Sequence, residues 1–322
     1  VGELRDRTLK WTPRPVALHK LAFAGNRLFS ERGSEILAID PLAKDKVRVY
    51  PVQGHPQLAA LSDGSLLGIS AQRTFVMRPN AKQLEPARTV VLMPHEELFG
   101  NTGVVGYFNA FDATAGRWSS YSFDSKPGVS PLWLPDTAHE LADLKQGHCG
   151  ELIDGTYACY AREQLWQLVT RSRARQLGKC APGAAVWRVL PAARTDQAWL
   201  ARNDSSLERW WLVHPPKRLS VIDLPWTPLD LSVRGDFIAM IRIIQNRAQP
   251  KQLTLLVLDT TGRQYFEQPL MPNSDDETNA PEGDLREAEV VIHSRQPWVG
   301  LRTSRGTRVV DLHTGATLAL AP

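Results

Sequence analysis

Apolar and polar positions alternate in short runs along most of this chain, and each run stops at Gly, Asp, Asn or Pro. A period of two over four to eight residues is the pattern of a β-strand, and sustained helical periodicity is absent. Two registers repeat. The first is a tight turn after a short run, at Gly25-Asn26, Asp63-Gly64, Asn101-Thr102-Gly103, Asp154-Gly155, Thr195-Asp196, Gly235-Asp236 and Arg295-Gln296. Counted from positions 25, 63, 102, 154, 195, 235 and 295, the gaps are 38, 39, 52, 41, 40 and 60 residues. Such residues suit two-residue hairpins, several of them by accepting positive φ.

The second register is an apolar strand that ends on a polar residue. It reads Leu37-Ala38-Ile39-Asp40, Phe75-Val76-Met77-Arg78, Asn109-Ala110-Phe111-Asp112, Gln167-Leu168-Val169-Thr170, Trp211-Leu212-Val213-His214, Leu256-Val257-Leu258-Asp259 and Arg308-Val309-Val310-Asp311. Two interleaved sevenfold registers predict seven units of four strands. A period near 40 in an all-strand chain is that of a β-propeller, in which each sheet buries its two faces against its neighbours. The expectation is an all-β, seven-bladed propeller of four-stranded antiparallel blades, one domain over residues 1–322. The 60-residue gap is assigned to an acidic inter-blade insertion at 272–289, while blade 3 is the least regular. Two segments compete for the outer strand of the closing blade, Thr8-Leu9-Lys10-Trp11 and Thr317-Leu318-Ala319-Leu320.

Within this pattern, Ala110-Phe111-Asp112-Ala113-Thr114-Ala115-Gly116-Arg117-Trp118 resembles the repeat of bacterial pyrroloquinoline-quinone-type β-propellers, a superfamily with WD-repeat-like relatives. Val257-Leu258-Asp259-Thr260-Thr261-Gly262 and Val310-Asp311-Leu312-His313-Thr314-Gly315 are partial copies. The Asp suits a turn cap and the Gly a left-handed position, so the motif reads as structural. The resemblance implies a fold, not an activity. Quinone enzymes of that kind have eight blades, a calcium site and often an adjacent Cys pair. This chain reads as seven blades and has no adjacent pair, so no cofactor is expected.

Composition adds limits. Of the 322 residues, 43% are hydrophobic and 22% charged, which is globular material. No apolar run reaches 18 residues, so no membrane span is expected. The net charge of +4 is mild for a nucleic-acid binder, and nucleic acid is not an expected partner. The chain starts Val1-Gly2-Glu3 without Met or an apolar lead, consistent with trimming or with a start inside a longer product. The compartment stays open, the cytoplasm ranking just ahead of export. Cys149 and Cys159 flank a hairpin signal at 152–155; they could face each other, and reduced thiols are expected over a bridge. The spacings of the three Cys with His148 match no zinc pattern, so no metal is expected.

Other motifs read as structure. There is no Gly-x-Ser-x-Gly elbow, and His139-Glu140 and His95-Glu96 lack the second His of a zincin. Arg171-Ser172-Arg173-Ala174-Arg175 and Arg234-Gly235-Asp236 are read as turns. The insertion carries seven carboxylates and one Arg, a net −6 that leaves +10 elsewhere, and it is expected to fold over the same rim and compete with a partner.

The sharpest functional signal is arginine. The chain has 28 Arg against 10 Lys. The second-to-third-strand loops are predicted near Arg32, Arg73, Asn109, Arg162, Arg202, Arg247 and Arg305. Six of these seven windows hold Arg where roughly two would by chance. In a propeller these loops share a face with the inter-blade loops, so the arginines are expected to form a collar for an anionic ligand or an acidic protein segment. Trp226 and His95 are added from inter-blade loops, because Trp is a frequent interface anchor. The leading expectation is a non-catalytic scaffold that presents this face to a protein partner. The alternative is a hydrolase or lyase for an acidic sugar or lactone at the channel mouth, using Glu96, Asp136 or Asp204.

Overall fold

The computed structural model describes the chain apart from residues 1–3, 6–7, 10–19, 44–45, 62, 71–72, 80, 88–89, 91, 93–95, 100–106, 123–136, 141, 153–155, 171–172, 181, 245–251, 271–287, 304–305 and 322. Two short strands, β1 (Leu4–Arg5) and β2 (Thr8–Leu9), pair with each other. Seven four-stranded antiparallel sheets follow. Blade 1 is β3 (Leu21–Ala24), β4 (Arg27–Arg32), β5 (Glu35–Ile39) and β6 (Val47–Pro51). Blade 2 is β7 (Gln57–Ala60), β8 (Leu66–Ile69), β9 (Thr74–Met77) and β10 (Glu85–Pro86). Blade 3 is β11 (Glu96–Phe99), β12 (Tyr107–Asp112), β13 (Arg117–Ser122) and β14 (Thr137–Glu140). After a single 3-10 turn at Ala142–Leu144, blade 4 is β15 (His148–Glu151), β16 (Tyr157–Ala161), β17 (Gln164–Thr170) and β18 (Arg173–Lys179). Blade 5 is β19 (Val186–Pro191), β20 (Gln197–Arg202), β21 (Ser206–Trp211) and β22 (Lys217–Asp223). Blade 6 is β23 (Asp230–Arg234), β24 (Phe237–Ile244), β25 (Gln252–Asp259) and β26 (Gln264–Pro269). Blade 7 is β27 (Glu289–Ile292), β28 (Trp298–Thr303), β29 (Gly306–Asp311) and β30 (Thr317–Ala321). Among the described residues no helix is long and apolar enough to cross a membrane.

The alternation in the sequence is resolved by the seams between blades. In blade 1, Ala22, Phe29, Ile36 and Ala38 pack with Leu58, Leu66 and Phe75 of blade 2. Their neighbours Leu21, Phe23, Leu28, Leu37 and Ile39 face the other way, onto Trp298 and Val309 of blade 7. Seven such clusters fill the seven seams. Two glycines mark where blades approach most closely. A Cβ at Gly150 would lie 2.2 Å from the Val189 carbonyl oxygen, and one at Gly300 would lie 2.4 Å from a Leu28 methyl.

Blade 7 takes its outer strand from β30, so of the two candidates Thr317–Ala321 closes the blade and the segment at Thr8 does not. The ring joins across the 7–1 seam by packing and by polar bonds. The Lys20 N–H donates to Glu289 Oε2 (3.1 Å), Thr307 Oγ1 to Ser30 Oγ (2.8 Å), Lys46 Nζ to the Leu318 carbonyl (2.7 Å) and Arg302 Nε to the Glu31 carbonyl (3.0 Å).

His293 completes this joint. Its Nδ1 accepts the N–H groups of Arg295 (2.9 Å) and Gln296 (2.8 Å), so its proton sits on Nε2, which donates to the Gly25 carbonyl (2.8 Å). Burial is the largest influence on this imidazole. Together with the nearby Arg234 and Arg295 it outweighs the bond to Gly25 and holds the pKa below the ordinary 6.5.

Two expectations are corrected. The run Asn109–Asp112 belongs to the second strand of blade 3, not the third, and the Asp112 motif therefore turns between the second and third strands. In blades 6 and 7 the same motif turns between the third and fourth. The chemistry is common to all three: Asp112 Oδ1 accepts the N–H groups of Thr114 and Ala115, Asp259 Oδ1 those of Thr261 and Arg263, and Asp311 Oδ1 those of His313 and Thr314. An Asp cap fits any hairpin of this shape, so the motif cannot number the strand it ends. The second correction concerns the thiols. Cys149 and Cys159 are direct cross-strand partners in β15 and β16, with Cα atoms 4.1 Å apart, and they form a disulfide. Cys180 is a buried free thiol.

Reduction opens a short loop, so dithiothreitol or a Cys149→Ala/Cys159→Ala pair should cost roughly 2–3 kcal/mol in urea unfolding. An unchanged midpoint, or two free thiols by intact mass, would contradict the bridge. For His293 the neutral form is favoured in the fold, so its stabilisation is complete above pH 6.5 and declines as pH falls through 6.5 toward the folded value. His148, also depressed chiefly by burial, acts in the same direction. The melting temperature should therefore drop between pH 7 and pH 5. His293→Gln should lower it at pH 7.5 and flatten part of that slope; equal slopes would exclude this role.

Candidate functional site

The first strands of all seven blades line a central channel of about 1080 Å³. At one end lie the second-to-third-strand loops and the inter-blade loops, here called the loop face. The opposite end carries the first-to-second-strand turns, including Gly25, Gly64 and Gly235, each at positive φ.

Of the predicted collar, three arginines emerge on the loop face. Arg32 ends β4 and is exposed, opposite Glu35 in the strand register. Arg73 is exposed in the loop between β8 and β9. Arg162 is exposed in a two-residue hairpin with Glu163, both at positive φ (51° and 64°). That geometry is the one a hairpin of this length favours, and it aims the side chain outward.

Arg202 is placed differently. It is 1% exposed at the end of β20. Its Nε donates to Glu208 Oε2 (2.8 Å), its Nη1 to the Ala184 carbonyl (2.6 Å), and its guanidinium lies 5.8 Å from the Tyr160 ring centre. Glu208 also accepts from Trp210 Nε1 (3.0 Å) and Arg218 Nη1 (2.6 Å). This arginine ties blade 5 to blade 4 instead of facing solvent. The window at Asn109 lies inside β12, where its Nδ2 donates to the Tyr157 hydroxyl (3.1 Å). Arg247, Arg305, His95 and Asp136 lie outside the described residues, as does the acidic segment from 271 to 287. Trp226 is half-buried in the loop between blades 5 and 6, under the guanidinium of Arg242 at 4.7 Å; Arg242 Nη2 in turn pairs with Glu267 at 2.6 Å.

Of the residues considered for catalysis, the two that are described are engaged in structure. Glu96 is buried in blade 3, accepting from Ser119 Oγ (2.6 Å) and Tyr121 OH (2.7 Å), with Arg117 Nε at 3.9 Å. Burial, then this carboxylate, pushes the Tyr121 phenol far above its usual range. Asp204 accepts from Ser206 N and Oγ in the turn between β20 and β21. Among the described residues no three His, Cys, Asp or Glu side chains converge as metal ligands would.

Sequence reasoning missed the charged lining of the channel. Near the loop face it holds Glu97, His148 and the Arg188–Asp230 pair; near the turns it holds Asp63, Glu151, Arg234, His293 and Arg295. The available signal was a polar residue at either end of a first strand, as at Asp230 and Arg234 of β23.

No protein-family model and no curated protein matches the sequence. Solved structures of similar shape are β-propellers. The chain aligns with apo AztD from Citrobacter koseri at TM-score 0.56 and 12% identity, over 91% of this chain and 94% of that one. It aligns with virginiamycin B lyase from Staphylococcus aureus at TM-score 0.56 and 11% identity, over 90% and 93%. The WD40 propeller domain of Doa1 aligns at TM-score 0.58 and 10% identity, over 93% and 94%. At these identities the likeness concerns the fold, and the set spans an enzyme and WD40 domains alike.

Removing Arg202 leaves Glu208 with Arg218 and Trp210 but takes the donor from the Ala184 carbonyl and one charge-assisted bond from Glu208. Arg202→Met should therefore cost about 1–3 kcal/mol in urea unfolding. A near-neutral single variant would show that the pair does not secure the 4–5 seam.

Proposed function

We propose that this protein is a non-catalytic propeller scaffold whose loop face receives an acidic segment of a protein partner. The observation that carries the reading is the exposure of Arg32, Arg73 and Arg162 on loops of one face of a rigid ring. Guanidinium groups bind carboxylates bidentately, and a rim of fixed loops holds them at set spacings. Trp226, stacked under Arg242 on the same face, offers an aromatic surface beside them. Arg247, Arg305 and His95 are proposed for the same rim from their positions in the sequence alone. The structural engagement of Glu96 and Asp204 weighs against the enzyme reading. The Cys149–Cys159 bridge suits an oxidising compartment, where such bonds persist.

The test compares the wild type with Arg32→Glu/Arg73→Glu/Arg162→Glu as bait in the source organism's extract. An acidic partner should bind the wild type, weaken with added salt, and bind the triple variant at least about tenfold more weakly. Equal binding by a variant with unchanged circular dichroism would exclude the rim as the contact surface.

A further inference from the structure

The turn end of the channel carries its own chemistry. Arg234 ends β23 and lines the channel, half-buried, where burial disfavours its charge and Glu151 partly offsets the effect. Its Nε is enclosed and has no hydrogen-bond partner among the described residues. Arg295 stands on the corresponding turn of the next blade and also lines the channel. Both guanidiniums act on His293, which cannot answer them, because its two ring nitrogens are committed to Gly25 and to the Arg295–Gln296 turn. Two cations thus flank a neutral ring at the mouth of an open channel, and the deeper one lacks a full set of acceptors.

We propose that this mouth binds a small carboxylate, with Arg234 gripping the planar group and Arg295 adding charge from the rim. Burial disfavours the Arg234 charge, and a carboxylate at the channel-lining edge of its guanidinium supplies two acceptors in one plane, matching the guanidinium fork. Glu151 in blade 4 and Asp63 in blade 2 also line this end, so the anion should approach from the Arg234–Arg295 side, and an extended polyanion is disfavoured. The site lies at the other end of the first strands from Arg32, Arg73 and Arg162, so it stands independently of the partner reading.

Citrate is the probe, titrated into the full chain against chloride at constant ionic strength, with calorimetric heat and melting temperature as readouts. The wild type should give saturable heat and a saturable rise in melting temperature. Arg234→Gln should weaken citrate binding at least about tenfold, as expected for lost charge-assisted bonds, and Arg295→Gln several-fold. Arg73→Gln, on the loop face, should bind citrate as the wild type does. Without citrate, Arg234→Gln should melt no lower than the wild type. The proposal is overturned if the wild type shows no saturable binding, if Arg234→Gln and Arg295→Gln bind unchanged, or if Arg73→Gln removes binding. Should Arg234→Gln fail to fold, the exposed Arg295→Gln decides alone, and unchanged affinity there overturns the site.

Discussion

Each of the seven four-stranded sheets has two apolar faces, and that constraint organises the rest. A four-stranded sheet such as β3–β6, buried on both sides, cannot persist alone in water. It needs a neighbour at each face, and each neighbour has the same need. The only arrangement without a leftover face is a closed ring. Seven seam clusters meet the requirement, and the channel is the space the inner strands cannot fill. Loops are consequently expelled to two ends, so the protein has two faces of different character.

Those faces differ because strand polarity differs. First strands begin at the loop face, fed by long inter-blade connections, and end in tight turns. At the loop face, arginines at second-to-third-strand hairpins such as Arg32 and Arg73 project into solvent. At the turn end, the last residue of a first strand lines the channel, as at Arg234. The loop face is therefore suited to a broad partner, and the turn end to something small.

Much of the architecture was legible from local chemistry. Glycine and Asp or Asn at roughly 40-residue intervals mark hairpins because few other residues accept that backbone, and the unbroken apolar runs Leu21–Ala24 and Leu37–Ile39 state burial on both faces. Blade 3 misled because Asp112 caps its turn by the same bonds as Asp259 and Asp311, whatever the strand's rank. The disulfide was geometrically visible, since a hairpin places Cys149 opposite Cys159, but spacing carries no redox information. The fate of Arg202 was hidden for another reason. Whether a strand-end arginine points out or in depends on a carboxylate across the hairpin, and Glu208 is distinguishable from a solvent-facing Glu only once the 4–5 seam is assembled. The channel charges were missed because they converge from blades far apart in the chain.

No blade borrows a strand from the opposite end of the polypeptide. Each is one uninterrupted piece of chain, and the joint between the last and the first is stitched by side chains such as Thr307 and His293. The six inter-blade connections are thus topologically equivalent cut points. New termini placed at any of them would leave all backbone ladders intact, making the ring a natural candidate for circular permutation and for cassette exchange of whole vanes.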